Sequence, residues 1–484
     1  MRIAQISAEL APFAKTGGLA DVTAALAAFL HRHGHEVRTF VPLYASVAQK
    51  VRDLHPVAGL QRVPLAMGRW PLAFSLWEGA QRDGTPVSFV HCPALFGRDG
   101  LYTEGWDEGI RFAFLTRAAL VSCQHLGWSP QVLHCHDWHA ALGPLYLRSR
   151  YAWDRLFRDT KSVLTLHNVG YQGIFPADRL DDLDLAHERH LFWQEDLQAG
   201  RIDFLKTGIV YADLITTVSR THAEEIQTPE QGFGLDALLR ERRGSLLGIA
   251  NGIDVEEWNP ETDPHLPARY RVADPSGKEE CKRALLAEAG LDGSRPRPLV
   301  GIVSRLTYQK GIDLLFDVLP PLLAADEIRF VALGSGESKY VEFLRWLVRS
   351  YPGRAAFADA YSDPLAHRIE AGADVFLMPS RYEPCGLNQM YSQRYGTVPV
   401  VRRTGGLADT VEPYDPERDA GTGFVFDHFT AQGLSWALRW AVHVWRSDPA
   451  AWARMRRRGM ERDFSWDRQG GIYVEAYERL LGGR

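Results

Sequence analysis

Lysine, histidine, arginine and glutamate recur in this sequence at one kind of place, where a hydrophobic run gives way to a polar or glycine-rich turn. The first is KTGGLADV, Lys15 to Val22. Paired glycines permit a tight turn and close approach of backbone to a ligand. The helix that follows begins with unpaired N–H groups that suit an anion, and Lys15 adds a positive charge. The plainer reading is a tight strand–helix turn with a solvated lysine. The stretch is neither GxGxxG nor GxxxxGK[ST], so both standard nucleotide fingerprints are absent here. Next comes HCHDWHA, with His134, His136, Asp137 and His139. Three histidines and an aspartate raise the question of zinc, but no HExxH and no cysteine pair accompany them. A polar strand exit with satisfied buried histidines is the ordinary alternative. The functional one is a set of donors and acceptors for sugar hydroxyls. TLHNVGYQG repeats the pattern with His167 and Asn168, where a histidine would donate a hydrogen bond into a cleft.

The second half carries the cations. VSRLTYQKG puts Arg305 and Lys310 just beyond a strand. Two cations facing one diphosphate would stabilise a leaving phosphate as its charge develops, whereas a solvated loop would leave both without a task. LGSGE, with Gly336, is a weaker small-residue turn for phosphate or ribose. SRYEPCGLNQ sets Glu383 after ADVFLMPS, and Pro384 and Gly386 impose a specialised turn. A fixed glutamate there would hold sugar hydroxyls or balance positive charge in a glycosyl transition state. Cys385 raises a thiol nucleophile instead, without a sequence-local histidine or asparagine to support it. TGGLADTV, Thr404 to Val411, echoes the opening motif.

Elements must hold these groups. RIAQISAEL, EVRTFVPLY, TPVSFVHCP, QVLHCHDW, SVLTLHNV and DLITTVS read as strands, with DVTAALAAFLHRHG and EGIRFAFLTRAALVSCQHLG as helices between them. Such alternation argues for a mostly parallel sheet. A second series starts near residue 297: strands RPLVGIVSRL, IRFVALGSG, ADVFLMPS and VPVVRRTGG, helices GIDLLFDVLPPLLAA, containing or broken by Pro320, and KYVEFLRWLVRSYP. The terminal SWDRQGGIYVEAYERLL is amphipathic, and periodicity alone names no partner for it. Two doubly wound α/β domains in tandem imply a cleft, with ligands beyond the carboxyl ends of strands.

Composition narrows the class. A chain of 484 residues, 45% hydrophobic, fills more than one core. A formal charge of -5 does not indicate a polycationic surface for nucleic acid or membrane. The five cysteines form no CxxC pair, which fits a reducing compartment. The N-terminal apolar run is short and broken by Glu9, unlike a signal peptide, so the expectation is a soluble cytoplasmic protein.

Taken together, KTGGLADV, HCHDWHA, TLHNVGYQG, NGIDVEEWNP, VSRLTYQKG, SRYEPCGLNQ and TGGLADTV resemble the bacterial glycogen (starch) synthases of glycosyltransferase family 5, in order and over nearly the whole chain. The resemblance implies a GT-B architecture, two Rossmann-like domains facing a deep interdomain cleft: 1–245 as the acceptor-side catalytic domain, 246–460 as the nucleotide-sugar domain, and 461–484 as a C-terminal helix crossing back to the first. It implies retaining transfer of glucose from ADP-glucose to the nonreducing end of an α-1,4-glucan such as glycogen, with no cofactor and no metal requirement. Carried over by motif, Lys15 lies near the donor phosphate, His167 contacts the donor glucose, Arg305 and Lys310 take the diphosphate, and Glu383 sits near the glucose. Asp137 matches a cleft aspartate. Gly18, Asn168, Asn251, Gly336, Cys385, Gly386 and Leu387 match the donor pocket.

Departures from the family pattern fall elsewhere. Cys281 replaces the usual asparagine before Lys282, PLY stands for PRY at Pro42–Tyr44, and the loop between Phe96 and Trp106 is compact. Other readings are a UDP-glucose-dependent retaining glucosyltransferase and a noncatalytic glucan-binding protein on the same scaffold; donor-dependent polymer growth separates them.

Overall fold

The computed structural model describes residues 1–48, 51, 53–103 and 105–482. Positions 483 and 484, the end of the expected C-terminal helix segment, lie outside them. The chain separates into two compact units, Met1–Gly252 with Trp466–Arg484, and Ile253–Ser465.

The first unit is built on a ten-stranded sheet. From one edge its parallel strands are Leu246–Gly248, Leu214–Thr217, Lys161–Leu166, Val132–His136, Arg2–Ile6, Glu36–Pro42 and Pro86–His91. Ala73–Ala80 then runs antiparallel and pairs with the short strands His55–Pro56 and Val63–Pro64. The sequence reading anticipated six of the seven parallel strands; it missed the edge strand Leu246–Gly248 and this antiparallel one. The central strand Val132–His136 is buried along its length, as a sheet covered on both faces requires. Strand order reverses between Arg2–Ile6 and Val132–His136, the topological switch point of a doubly wound sheet.

KTGGLADV feeds the helix Gly18–Arg32. Alanine and leucine favour it, Asp21 in the first turn and His31 and Arg32 in the last oppose its dipole, and Val22, Leu26, Phe29 and Leu30 bury one face. The C-terminal helix Trp466–Leu480 lies on this unit, with Trp466, Tyr473 and Tyr477 in one cluster with that face. Gly470 makes the contact possible: a Cβ there would stand 2.3 Å from the Phe29 ring.

The second unit has a six-stranded parallel sheet, ordered Ala355–Ala358, Arg329–Leu333, Leu299–Val303, Val375–Met378, Val398–Arg402 and Phe424–Phe426. Its switch point falls between Leu299–Val303 and Val375–Met378. The helix expected over GIDLLFDVLPPLLAA forms only over Leu315–Ala324, with Pro320 and Pro321 inside it. Two 3-10 turns, Tyr308–Lys310 and Ile312–Leu314, precede it because Gly311 is left-handed (φ 68°). No helix among the described residues is long and apolar enough to cross a membrane.

Candidate active site

In each unit the chemistry-bearing residues follow the two strands that flank the switch point or the strand beside them. In the first unit, the chain leaving Arg2–Ile6 closes a small ladder in which Leu10 and Ala14 exchange N–H···O bonds of 3.0 and 2.9 Å. Glu9, buried at the base of this loop, accepts hydrogen bonds from the Thr16 N–H (2.7 Å), the Thr16 hydroxyl (2.6 Å) and the Gly17 N–H (3.3 Å). The Tyr102 hydroxyl donates to the same carboxylate. The glycine-rich turn is thus tied from below, leaving Lys15, Thr16 and Gly18 exposed. Lys15 Nζ lies 2.8 Å from the Asp21 carboxylate, one turn into the helix. Sequence reasoning used Glu9 only as a break in an apolar run; its signal was a charge inside a strand exit.

The second flanking strand ends at His136, and Asp137 follows in a left-handed conformation (φ 58°) that aspartate tolerates better than most residues. Asp137 is buried and accepts the His167 backbone N–H at 3.4 Å. Burial lifts its carboxyl to about 7, opposed by the N–H groups of His167, Asn168 and Trp138; the nearby Glu9 adds to the rise. His167 ends the neighbouring strand, and its Nε2 is 3.1 Å from His136 Nδ1. Burial drives His167 and His134 down to about 3 and His136 well below the usual imidazole value, so this pocket holds neutral rings. His134 spends both nitrogens inside the fold, on the Tyr477 hydroxyl (2.7 Å) and the Thr165 hydroxyl (2.6 Å), and is therefore no ligand contact. Asn168 Oδ1 accepts the Gly170 N–H at 3.0 Å, forming its turn. Gly173, at φ 67°, lets Trp138 approach to 2.4 Å of where a Cβ would be. Asn251 is buried, with Oδ1 lacking a hydrogen-bond partner among the described residues.

The second unit presents charge instead. Arg305 is exposed and has no side-chain partner among the described residues. Lys310 Nζ lies 2.6 Å from Glu383 Oε2, which also accepts the Ser380 hydroxyl at 2.9 Å. Glu383 is buried and Lys310 half-buried, so the pair is held in place before any ligand arrives. The loops themselves clasp. The Arg381 N–H donates to the Gln309 carbonyl at 2.8 Å, and the Leu306 N–H donates to the Ser335 carbonyl at 2.8 Å. Gly336 permits the latter, since a Cβ would lie 2.3 Å from the Leu306 carbonyl oxygen. Gly386 (φ 72°) turns the chain directly over the Glu383 side chain, and Leu387 caps the helix Asn388–Arg394. Cys385 is buried, as are all five cysteines, and none forms a disulfide. The structure thus joins Lys310 to Glu383 and Asp137 to His167, and sets Gly336 against the Arg305 loop. Among the described residues no group of three or more His, Cys, Asp and Glu side chains is arranged to hold a metal ion.

Comparison with known proteins agrees in both halves. Residues 2–241 match the family described as starch synthase catalytic domain, and residues 292–458 match glycosyl transferases group 1. A glycogen synthase from Anaeromyxobacter dehalogenans is 47% identical over 489 residues, covering 100% of both chains. One from Koribacter versatilis is 44% identical, covering 99% of this chain and 98% of its own. Among solved structures, the catalytic domain of starch synthase IV from Arabidopsis thaliana, bound to ADP and acarbose, superposes with a TM-score of 0.92 at 35% identity, with 99% of each chain covered. A sucrose-phosphate synthase from Thermosynechococcus elongatus shares the fold alone, at TM-score 0.61 and 19% identity.

Proposed function

Since the chain belongs to the glycogen and starch synthase family and has its two-domain GT-B type of architecture, we propose that it transfers glucose from ADP-glucose to the nonreducing end of an α-1,4-glucan, with retention at the anomeric carbon. The bond from that carbon to the phosphate oxygen breaks, and a bond to the acceptor O4 forms. The acceptor proton passes to the leaving phosphate on the same face. The barrier lies in two separating charges, negative on ADP and positive on the glucosyl carbon. Groups already aimed at those charges lower it, because they need no reorganisation during the step.

In this reading Arg305, Lys310 and Lys15 bind the leaving diphosphate. Glu383 holds Lys310 in position and faces the positive glucosyl centre, and His167 and Asp137 hold the glucose. Gly18, Asn168, Asn251, Gly336, Cys385, Gly386 and Leu387 shape the donor pocket. The Arabidopsis domain described with ADP and acarbose supports an adenine nucleotide as leaving group.

The observation that carries the reading is Arg305, an exposed cation without a protein partner among the described residues, on the loop that also delivers the pre-paired Lys310. Because Arg305 supports nothing in the fold, Arg305→Ala is a clean test. The expected result is an unchanged melting temperature with kcat lowered by roughly a hundredfold or more. An unchanged kcat would overturn the assignment.

A further inference from the structure

His136 is a buried imidazole that the mechanism above does not use, and it touches the histidine that the mechanism does use. Its Nδ1 is 3.1 Å from His167 Nε2. Its Nε2 is buried with no hydrogen-bond partner among the described residues. The ring packs against His134, with centroids 4.1 Å apart and planes tilted by 33°, and His134 is itself bolted at both nitrogens by Tyr477 and Thr165. His136 therefore has a fixed plane and one polar contact.

Only two arrangements of protons are open to this neutral pair. In the first, His136 donates Nδ1–H to His167 Nε2, leaving a bare lone pair at the buried His136 Nε2. In the second, His167 donates Nε2–H to His136 Nδ1, and the His136 proton must sit on Nε2 as a buried N–H with no acceptor. A buried orphan N–H is the rarer and costlier defect. The first arrangement wins, and it forces the His167 proton onto Nδ1. That nitrogen makes no hydrogen bond among the described residues, and His167 is only half-buried.

We infer that His136 is a positioning residue that locks His167 in its Nδ1–H tautomer, so that His167 presents a hydrogen-bond donor to a hydroxyl oxygen of the transferred hexose. The downward shift of both imidazoles keeps the pair neutral at working pH, where tautomer rather than charge is the variable. A free histidine favours the Nε2–H form in water. Without His136, His167 would relax toward it and offer a lone pair where the sugar needs a donor.

The inference rests on His167 facing the donor sugar, and the test separates the two. The full-length protein, labelled with 15N-histidine, is examined by long-range 1H–15N correlation at pH 7.5, with His167 assigned by its loss in His167→Gln. The expected pattern is a protonated Nδ1 and an unprotonated Nε2 on His167. An Nε2–H pattern, or averaging between both forms, overturns the lock whatever the activity. His136→Asn keeps an N–H at the Nδ1 position and is expected to preserve both the His167 pattern and kcat. His136→Leu is expected to shift His167 toward Nε2–H and lower kcat about tenfold with little change in KM. If His136→Leu does not fold, the wild-type spectrum and His136→Asn still decide. If the Nδ1–H pattern is present but His167→Gln transfers glucose at the wild-type rate, the lock stands and the sugar-facing role falls.

Discussion

The hexapeptide TGGLAD occurs twice, at Thr16–Asp21 and Thr404–Asp409, and the two copies do opposite work. Each follows a parallel strand and opens a helix, Gly18–Arg32 in one case and Gly405–Thr410 in the other. In the first copy a buried carboxylate, Glu9, gathers the Thr16 and Gly17 N–H groups, and the turn stays exposed. In the second the Gly406 N–H is shared by the Glu383 and Pro384 carbonyls at 3.1 Å, and Thr404, Gly405 and Gly406 are all buried. One copy offers its surface; the other braces the backbone of Glu383. The switch points differ in the same sense. The first holds neutral imidazoles and an aspartate lifted to about 7. The second holds a Lys–Glu pair 2.6 Å apart beside an exposed arginine. Sequence similarity marks a turn that can approach something closely, and the tertiary neighbours decide what.

Equivalent substitutions in the two copies break this comparison most sharply. A Cβ at Gly405 would sit 2.0 Å from the Glu383 carbonyl oxygen, at φ 43°, whereas a Cβ at Gly17 would meet nothing within 4 Å. Gly405→Ala is expected to cost about 3 kcal/mol or more in stability and at least a hundredfold in transfer, because Glu383 must move. Gly17→Ala is expected to change stability by less than about 1 kcal/mol. Denaturant melts and transfer rates on both variants check the contrast. Equal effects would dissolve it.

The neutral character of the first switch point is read from pH dependence. The Asp137 carboxyl titrates near 7 in the folded chain against 3.8 unfolded. A raised acid pKa means that the folded state binds the proton more tightly. Its contribution is therefore fully present below the unfolded value and is lost as pH rises through the folded one. Asp137→Asn should gain on wild type by about 2 to 4 kcal/mol between pH 4 and 7.5, then run parallel to it. Urea melts across that range measure the gap; a constant gap would show that Asp137 is not held neutral. His134 and His167, lowered to about 3, act in the opposite direction in both proteins, and their stabilisation is lost as pH falls from the ordinary histidine value toward 3.

The smallest of these effects tests the support under Lys15. Glu9→Gln keeps the shape but replaces a carboxylate that receives four hydrogen bonds. A cost of about 1–2 kcal/mol in stability is expected, with a larger KM for donor as the turn loosens. A variant with wild-type stability and KM would mean that the turn is held by its own ladder.

Much of this was legible in the chain, for a physical reason. Strands such as LVGIV and RFVAL in a parallel sheet are buried on both faces and read as apolar runs. The residue types that suit a ligand stand directly after those runs. The strand Ala73–Ala80 escaped notice because Ser75, Trp77 and Glu78 dilute its pattern on the half-exposed sheet edge. Candidate residues were therefore visible while their partners were not. Glu9 meets Tyr102 across 93 positions, His134 meets Tyr477 across 343, and Lys310 meets Glu383 across 73. No local spacing encodes such pairs. The resemblance between TGGLADV and TGGLADTV was visible too, but the burial that separates their tasks is tertiary.

The most direct measurement of the central claim is nucleoside diphosphate release from ADP-glucose and UDP-glucose in parallel, with and without glycogen, with glucan gain followed in the same tubes. The account predicts glycogen-dependent ADP release matched by an equal gain of glucose in the glucan, and little UDP. Preferential UDP release would contradict the donor assignment. No release from either donor would contradict glucosyl transfer itself.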